Sequence, residues 1–559
     1  MGFIQPTPLP YDPQEWAAKS FPEKARMVCH AWAMHGYGTP SSAYVFYALK
    51  VVFYIGIWTM FCSLSPALGE LEEIASWWLH PIAFQKAIAW SMLFEVLGFG
   101  CGSGPLTGRY MPPIGGFLHF LRPGTTKLPL FAKAPLIGGI RRTWLDASLY
   151  LALVASLVAL LIHPDPGLAE LLPVIGLTAV LGLLDKTIFL AARSEHYWVI
   201  LICVAFATNW VAGAKIVWLA LWFWAGFSKL NHHFAAVVGV MTSNGPLTFT
   251  GLRRAVYRNF PSDLRPSRLA AVMGMAGTAL ELSIPLILVF GNGGPITTVG
   301  LLLMLMLHGY ITMSIPMGVP IEWNFLMVYG GLFLFAANAS VSLGDVGPWP
   351  INLFLLVMAV GIPLLGNFVP HRISFLPAMR YYAGNWAYSV WLFRGDSYRK
   401  LDRHILKSSA WTRDQLERFY DSNTASSLMS KIMAFRLMHL HGRALHDLLP
   451  LAVDELNDYE WTDGEIIAGS VLGWNFGDGH LHNEGLLSAV QAQCNYEPGE
   501  LRCIFVEAQP LGGDSLAYRI QDASTGLVTA GEVPVSQLLE RQPWPSEVNP
   551  WPTSPPEST

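Results

Sequence analysis

The stretch LDASLYLALVASLVALLI, residues 145–162, contains a single charged side chain. A helix needs about 20 mostly apolar residues to cross the hydrocarbon core of a bilayer. The stretch is one of several, because the 559-residue chain is 52% hydrophobic and only 13% charged. Soluble domains carry about 25% charged residues. The composition excludes a soluble enzyme, a nucleic-acid binder and a disordered scaffold, and it predicts a polytopic membrane protein.

Similar apolar segments recur over the first two thirds of the chain and predict about ten membrane-spanning helices. The fifth and sixth segments are short and separated only by a turn near Gly213, so a re-entrant pair is the alternative there. The predicted spans run approximately over residues 44–64, 82–103, 145–162, 171–190, 197–211, 215–227, 269–290, 296–315, 323–339 and 351–370.

The loops between these spans predict the orientation, because short cytoplasmic loops are enriched in Lys and Arg. The loop after the second span is basic and has no acid between Leu106 and Trp144, and the loop after the sixth has one acid, Asp263. We therefore expect a multi-pass protein of the plasma membrane with both termini cytoplasmic. The basic residues are Arg109, Arg122, Lys127, Lys133, Arg141 and Arg142 in the first loop and Arg253, Arg254, Arg258, Arg265 and Arg268 in the second.

Charge is distributed unevenly along the chain. Residues 1–370 hold 16 acidic and 20 basic residues, whereas residues 371–559 hold 23 acidic and 15 basic residues, as a soluble domain would. The predicted fold class is an all-α polytopic membrane bundle with a small C-terminal α+β soluble domain. Its predicted parts are an N-terminal interfacial segment (1–43), a transmembrane helical domain (44–370), the soluble domain (371–540) and a Pro-rich disordered tail (541–559).

Two patterns predict structure within the C-terminal region. Residues 375–393 mix aromatic side chains with Arg380, and arginine recurs at Arg394, a composition typical of a helix that lies in the membrane interface. Further on, LRCIFVEA, SLAYRIQDA and GLVTAGEVPV are separated by turn residues and predict three strands.

Ionisable side chains inside a span each cost about 2.5–3.5 kcal/mol on insertion scales, so they mark candidate sites. The predicted topology brings several of them to the cytoplasmic side from different segments. A lysine desolvated among carboxylates and imidazoles is a candidate general base. For any single residue, ion pairing that only stabilises the bundle is the alternative. The group consists of Glu95, His196, Lys229, Glu281, His308 and Glu322.

The segment FWAGFSKLNHHF, residues 223–234, resembles the AG-x-x-K-L-(D/N) motif of vitamin K-dependent gamma-carboxylases and their horizontally transferred transmembrane (HTTM) relatives. The resemblance implies that Lys229 is the base that deprotonates a hydroquinone. ARSEHYW, residues 192–198, resembles the Asn-Asn-His-x-Tyr element of that family, which implies a supporting role for His196. The two asparagines are replaced here by Ser194 and Glu195.

Two further segments carry the resemblance. ALELSIPLIL, residues 279–288, is similar to the family's Glu-x-x-x-Pro signature and implies Glu281 as a site residue. MLHGYITMSIPMGVP, residues 306–320, resembles the histidine-containing helix before a turn and implies His308. The likeness covers approximately residues 40–370, and the whole chain resembles a group of uncharacterised bacterial transmembrane proteins.

These residues lead to two main hypotheses, and proton-coupled transport through Glu95, Glu281 and Glu322 is a weaker third because no paired broken-helix repeat supports it. The first is a carboxylase-like membrane enzyme, an oxidoreductase or lyase by resemblance, in which Lys229, His196, Glu281 and His308 act on a quinol or another lipid. A quinone or quinol is then the implied cofactor. The second is a carrier or scaffold for envelope lipids that uses the same polar cavity. Both imply the bilayer, a lipophilic small molecule and protein partners of the soluble domain as contacts, and neither involves nucleic acid.

A histidine-rich run in the C-terminal region is a weak metal candidate. In GDGHLHNEG, residues 477–485, the side chains Asp478, His480, His482 and Glu484 alternate, so an extended strand would place all four on one face. The glycines favour a polar surface turn instead. We therefore predict no metal site, with these four residues as the alternative.

Overall fold

A computed structural model describes residues 3–102, 104, 107–110, 116–134, 138–314 and 321–545. Most of these residues are helical. Before residue 370 the helices are α1 (Pro13–Ala17), α2 (Phe21–His35), α3 (Ser41–Ser63), α4 (Ile74–Trp77), α5 (Pro81–Val96), α6 (Phe117–Phe120), α7 (Trp144–Ile162), α8 (Leu168–Leu184), α9 (Lys186–Ala191), α10 (Val199–Phe206), α11 (Trp210–Phe227), α12 (Phe234–Asn244), α13 (Thr250–Ala255), α14 (Arg268–Gly291), α15 (Pro295–Ser314), α16 (Ile321–Leu332), α17 (Trp349–Leu356) and α18 (Ile362–Phe368). Short π-helical turns at Ser194–Trp198, Phe333–Ala337 and Val357–Gly361 adjoin α10, α16 and α17.

Six helical stretches of the described residues are long and apolar enough to cross a membrane. They are Ser41–Ser63, Trp144–Ile162, Trp210–Phe227, Arg268–Gly291, Pro295–Ser314 and Trp349–Phe368. The prediction of several membrane spans is confirmed, whereas the number ten is not. At the four other predicted spans the structure also has helices, but these have 17 residues or fewer: Pro81–Val96, Leu168–Leu184, Ser194–Phe206 and Ile321–Ala337.

Helix α11 lies at the centre of the bundle, with 78% of its residues buried. It packs against α10 and α14. The peripheral helices keep apolar side chains on their outer faces, including Phe290 at 73% and Met275 at 65% exposure on α14. An apolar outer surface of this kind suits the hydrocarbon core of a bilayer, where lipid tails take the place of a protein core.

The C-terminal region contains the small sheet that the sequence predicts. Its strands are all antiparallel in the order β4-β3-β5-β6-β7, and the three predicted strands correspond to β5, β6 and β7. A separate hairpin, β1–β2, lies between α13 and α14. The strands are β1 (Tyr257–Asn259), β2 (Asp263–Pro266), β3 (Tyr388–Arg394), β4 (Tyr459–Asp463), β5 (Leu501–Val506), β6 (Ser515–Asp522) and β7 (Gly526–Pro534), and the helices are α19 (Arg399–His404), α20 (Thr412–Leu416), α21 (Ser422–Leu437), α22 (Leu440–Asp447), α23 (Leu449–Ala452), α24 (Gly464–Leu472), α25 (Glu484–Cys494) and α26 (Val535–Glu540).

The predicted interfacial helix over residues 375–393 is wrong. Residues 375–387 form turns and extended chain, and β3 follows as an inner strand paired with both β4 and β5. Every residue of β3 except Arg394 is buried, so its aromatic side chains pack inside the protein. Since both faces are covered, the strand lacks the alternation that would have distinguished it from a helix.

The basic loop before α7 contacts the C-terminal region directly. Arg109 donates hydrogen bonds to the carbonyl of Gly473 (2.5 Å) and to Ser408 Oγ (2.9 Å). Arg142 is ion-paired with Asp185 at 2.6 Å and also reaches the carbonyl of Leu472 at 3.5 Å. Arginines that predict membrane orientation from the sequence therefore also hold the end of α24 against the bundle.

Outside the described residues lie residue 103 at the end of the predicted second span, residue 315 at the end of the predicted eighth span, and residues 546–559 of the predicted Pro-rich tail.

Candidate functional site

A cavity of about 460 Å³ lies where α11, α14 and α15 meet the chain that follows the last helix of the bundle. Most of its wall is apolar or aromatic. The charged and polar side chains in the wall include Lys229, Glu281, His308, Arg193 and Asn475. The cavity is therefore built jointly from the helical bundle and from the 475–477 loop of the C-terminal region.

Lys229 and Glu281 form an ion pair in the cavity wall. Lys229 lies two residues beyond the end of α11, while Glu281 lies in the middle of α14. Gly226 brings the two helices together, because a Cβ at this position would be only 3.1 Å from Cβ of Glu281 and 3.0 Å from Cγ of Leu282. Both charged side chains are less than 10% exposed, and the ammonium lies 5.0 Å from the centre of the Phe234 ring.

His308 is held in one neutral form by its two partners. The indole of Trp222, which can only donate, bonds to Nε2 at 3.0 Å, so Nε2 carries no proton. Nδ1 therefore carries the proton and donates it to Oδ1 of Asn324 at 2.9 Å. With both ring nitrogens engaged, His308 lines the cavity as a polar side chain of fixed orientation.

His196 lies behind the cavity wall, not in it. Its Nε2 accepts a hydrogen bond from the indole of Trp323 at 3.2 Å, and its Nδ1 lies 3.2 Å from Oε1 of Glu195. Trp323 lines the cavity, and its ring centre is 6.2 Å from that of His196 and 6.4 Å from that of His308. The structure thus brings Lys229, Glu281 and His308 to the cavity itself and places His196 one side chain away.

Arg193 and its partners form a second charged group at the cavity. Nε of Arg193 donates to Glu195 at 2.6 Å, the same carboxylate oxygen accepts from the Tyr381 hydroxyl at 3.0 Å, and Glu95 lies 4.0 Å from Nη1. Arg193 itself is in the left-handed backbone region at φ 47°. Arg193 is not among the site residues predicted from the sequence, although an arginine three residues before His196 in an apolar segment is a usable signal.

Several buried donors in the cavity wall have no acceptor among the described residues. They are Nη2 of Arg193, Nδ2 of Asn475 and Nε1 of Trp386. All three side chains are at most 5% exposed. Each buried donor without a partner lowers the stability of the folded protein by about 1–3 kcal/mol. Water or a bound molecule with acceptor atoms would remove this cost. Asn475 was also missed, because an asparagine in a glycine-rich loop has no sequence signal of its own.

The remaining ionisable residues of the predicted group lie elsewhere. Glu322 is 2.9 Å from the ammonium of Lys50, and both are buried at the contact of α3 with α16. Glu95 accepts hydrogen bonds from the backbone amide of Cys101 at 2.8 Å and from its thiol at 3.1 Å. These residues surround the site without lining it.

The histidine-rich run is a buried turn and not a strand. Residues Gly479–Leu481 form a short 3-10 helix, and α25 begins at Glu484, so the four alternating side chains do not share one face. His480 contacts Ser374 and Glu507, His482 contacts Ser389 at 2.6 Å, and Glu484 pairs with Arg519. The expected surface turn is wrong in one respect, since Asp478 and His482 are fully buried.

The described residues contain no group of three or more His, Cys, Asp or Glu side chains that could hold a metal ion. Burial and the charge of Arg436 hold the pKa of His482 well below its ordinary value.

The model of one protein family, the transmembrane proteins of unknown function called DUF3556, matches residues 1–554. The chain belongs to the DUF3556 family. This match confirms the predicted likeness of the whole chain to uncharacterised transmembrane proteins. No curated protein and no solved structure matches the chain. The likeness to gamma-carboxylases therefore depends on the four sequence segments alone.

Proposed function

We propose that the protein binds a lipophilic molecule in the cavity and catalyses proton transfer on it, with Lys229 as the base. The observation that carries this proposal is the Lys229–Glu281 pair in a largely apolar wall. In such surroundings charges are poorly solvated, so an ion pair and its neutral form, amine with carboxylic acid, are closer in free energy than in water.

In the proposed mechanism the proton of the Lys229 ammonium first moves to Glu281 across their hydrogen bond. The resulting amine takes a proton from an acidic O–H or C–H of the substrate and becomes an ammonium again. Glu281 keeps the first proton and then delivers it to the substrate anion, which restores the ammonium–carboxylate pair at the end of the cycle. Charge and protons balance at each step.

The other cavity residues position the substrate. The unpartnered donors of Arg193 and Asn475 bind an acceptor oxygen at its polar end, and the aromatic walls bind its apolar body. His308 and, through Trp323, His196 fix the shape of the wall. A quinol fits this chemistry, as the carboxylase resemblance implies, and so does another lipid with an acidic proton.

We further propose that the protein crosses the plasma membrane ten times with both termini cytoplasmic. The domain boundaries at residues 43, 370 and 540 are part of this proposal. A soluble α+β domain on the cytoplasmic side would also be available to protein partners. The support is the distribution of Lys and Arg between the loops.

The test uses full-length protein in detergent incubated with a total membrane lipid extract in D₂O. Mass spectrometry then detects any lipid component that takes up deuterium at carbon or changes composition. We expect the change with the wild type and not with Lys229→Ala. Lys215→Ala is the matched control, since this lysine lies buried in α11, the helix that ends just before Lys229, but bonds to the carbonyl of Val341 at 2.7 Å and does not line the cavity. Unchanged lipids with the wild type, or full activity of Lys229→Ala, would contradict the proposal.

A lipid carrier is the second candidate, favoured by the observation that His308 has no free ring nitrogen and Lys229 is paired. A carrier needs the cavity but not a free base. In reconstituted vesicles it would move chemically unchanged labelled lipid between leaflets, and Lys229→Ala would keep part of that activity.

A further inference from the structure

A second concave surface lies between α13, the β1–β2 hairpin and the start of α14, and it shares no lining residue with the cavity. This open groove of about 560 Å³ is lined by three arginines, Arg254, Arg258 and Arg268, together with Phe260 and Leu269. We call it the arginine groove. All three arginines are exposed.

Among the described residues, the arginines of the groove have no carboxylate partner. Arg254 lies over the ring of Phe260 at 5.5 Å, and Arg258 donates a hydrogen bond to the carbonyl of Pro266 at 3.4 Å. Within the described part of the chain, no ion pair involves any of the three. Arg265, on the same hairpin, differs because Asp263 at 2.6 Å and Glu540 at 3.2 Å neutralise it. The groove is therefore a site of uncompensated positive charge.

The position of the groove places this charge at one end of a membrane helix. Arg268 is the first residue of α14, a stretch long and apolar enough to cross a bilayer. Exposed apolar side chains flank the groove, with Phe249 at 68% and Leu247 at 80% exposure just before α13. Apolar side chains beside arginines at the end of a span match the boundary between acyl chains and head groups.

From this arrangement we propose that the arginine groove binds the phosphate-bearing head group of an anionic phospholipid in the adjacent leaflet. The planar guanidinium donates paired hydrogen bonds to phosphate oxygens, and anionic head groups are attracted to basic pockets at this depth. The flanking apolar side chains accommodate the start of the acyl chains. This site is separate from the proposed enzymatic cavity and does not depend on its function.

The experiment measures binding of a short-chain phosphatidylglycerol and of the matching phosphatidylcholine to full-length protein by native mass spectrometry. We expect the wild type to prefer the anionic lipid. The triple variant R254Q/R258Q/R268Q should lose about fivefold in affinity for it per arginine, since each cationic residue near an anionic surface has an effect of this order. The variant R254K/R258K/R268K should keep most of the preference.

The matched control is R399Q/R403Q/R418Q, which removes the same charge from exposed positions of the C-terminal region. Equal loss in this control, or an unchanged preference in the groove variant, would overturn the proposal. Competition by inorganic phosphate as strong as that of the lipid would show a free-anion site instead. The variant E547Q/E557Q removes two acidic side chains near the end of the chain. If anionic lipid binds to this variant but not to the wild type, the occupant of the groove is the chain's own acidic C-terminal segment and the proposal is wrong.

Discussion

At the scale of single residues, the Lys229–Glu281 pair makes a prediction about stability that does not depend on function. Removing one member of a buried pair leaves the other charge unpaired, which costs about 3–5 kcal/mol. We expect Lys229→Met and Glu281→Gln each to lower the unfolding temperature of the detergent-solubilised protein. The double variant should be more stable than the less stable single variant. If the decrease in unfolding temperature of the double variant equals the sum of the two single decreases, the two charges do not stabilise each other, which would contradict this prediction.

Individual site residues were predictable where one ionisable group lies in an apolar span or within three residues of its end. Lys229, Glu281 and His308 meet that condition, and the structure places all three at one cavity. Arg193 also meets it but was missed, and Asn475 does not meet it at all. Asn475 reaches the cavity only because the C-terminal region folds back onto the bundle, a long-range contact that local sequence does not encode.

The pair of His480 and Glu507 makes the stability of the C-terminal region depend on pH. Burial lowers the pKa of His480, but the hydrogen bond and charge of Glu507 outweigh it and leave the pKa raised. Burial raises the pKa of Glu507, but His480 outweighs it and leaves the pKa lowered. The contribution to stability is fully present between about pH 4.3 and 6.5. It is lost as the pH rises through the pKa of His480 or falls through that of Glu507.

Glu507→Gln should therefore lower the unfolding temperature more at about pH 6 than at about pH 9, where His480 is neutral in both proteins. Thermal unfolding at the two pH values measures the difference. Glu532→Gln is the matched control, because this glutamate is exposed and its carboxylate accepts a hydrogen bond from the neutral hydroxyl of Ser515. A loss that is equal at both pH values would show that His480 is not charged in the folded protein.

At the scale of secondary-structure elements, Arg436 joins the end of α21 to the start of α24. Its guanidinium contacts Asp463 at 2.9 Å and Glu465 at 2.5 Å and lies 4.1 Å from the centre of the Tyr388 ring on β3. All of these groups are buried. Burial raises the pKa of Glu465 to about 7 despite the charge of Arg436.

Arg436→Met should thus leave two buried carboxylates without a cation and destabilise the C-terminal region by about 3–5 kcal/mol. Limited proteolysis of the detergent-solubilised protein would detect faster cleavage after residue 370. Arg436→Lys keeps the charge but not the paired geometry and should give an intermediate rate. Wild-type resistance of Arg436→Met would mean that α21 and α24 are held by their apolar contacts alone.

The elements differ in how well the sequence predicts them. Strands β5, β6 and β7 contain both buried and partly exposed residues and lie between clear turn signals. The sequence therefore predicts them close to their observed bounds. Strand β3 pairs with β4 and β5 along its edges, packs against α22 and α24 and is buried except at Arg394, so its composition resembles that of an interfacial helix. Burial on both sides removes the periodicity on which such a prediction depends.

At the scale of the whole molecule, the sequence and the structure give different numbers of membrane spans. Hydropathy predicts about ten spans, whereas six helical stretches of the described residues satisfy both length and composition. Helices such as Leu168–Leu184 are apolar but shorter than the thickness of a typical hydrocarbon core. A short helix crosses the bilayer only if neighbouring helices or local thinning compensate for its length.

Cysteine labelling in intact cells distinguishes the two topologies, because all six native cysteines are buried and free. Starting from a cytoplasmic N-terminus, ten spans place Asp165 outside and Ser262 inside, whereas the six long stretches alone reverse both positions. Both residues are exposed, so Asp165→Cys and Ser262→Cys can react. We expect a membrane-impermeant maleimide to label the first variant in intact cells and the second only after permeabilisation.

Two control positions have the same location in either topology. Glu72→Cys should always be labelled from outside and Ser524→Cys only after permeabilisation, since both residues are exposed on the surface of the protein. If Ser262→Cys is instead labelled in intact cells, the arginine groove faces the outer leaflet. The positive-inside rule then fails for this chain, because the five arginines of that loop would lie on the non-cytoplasmic side.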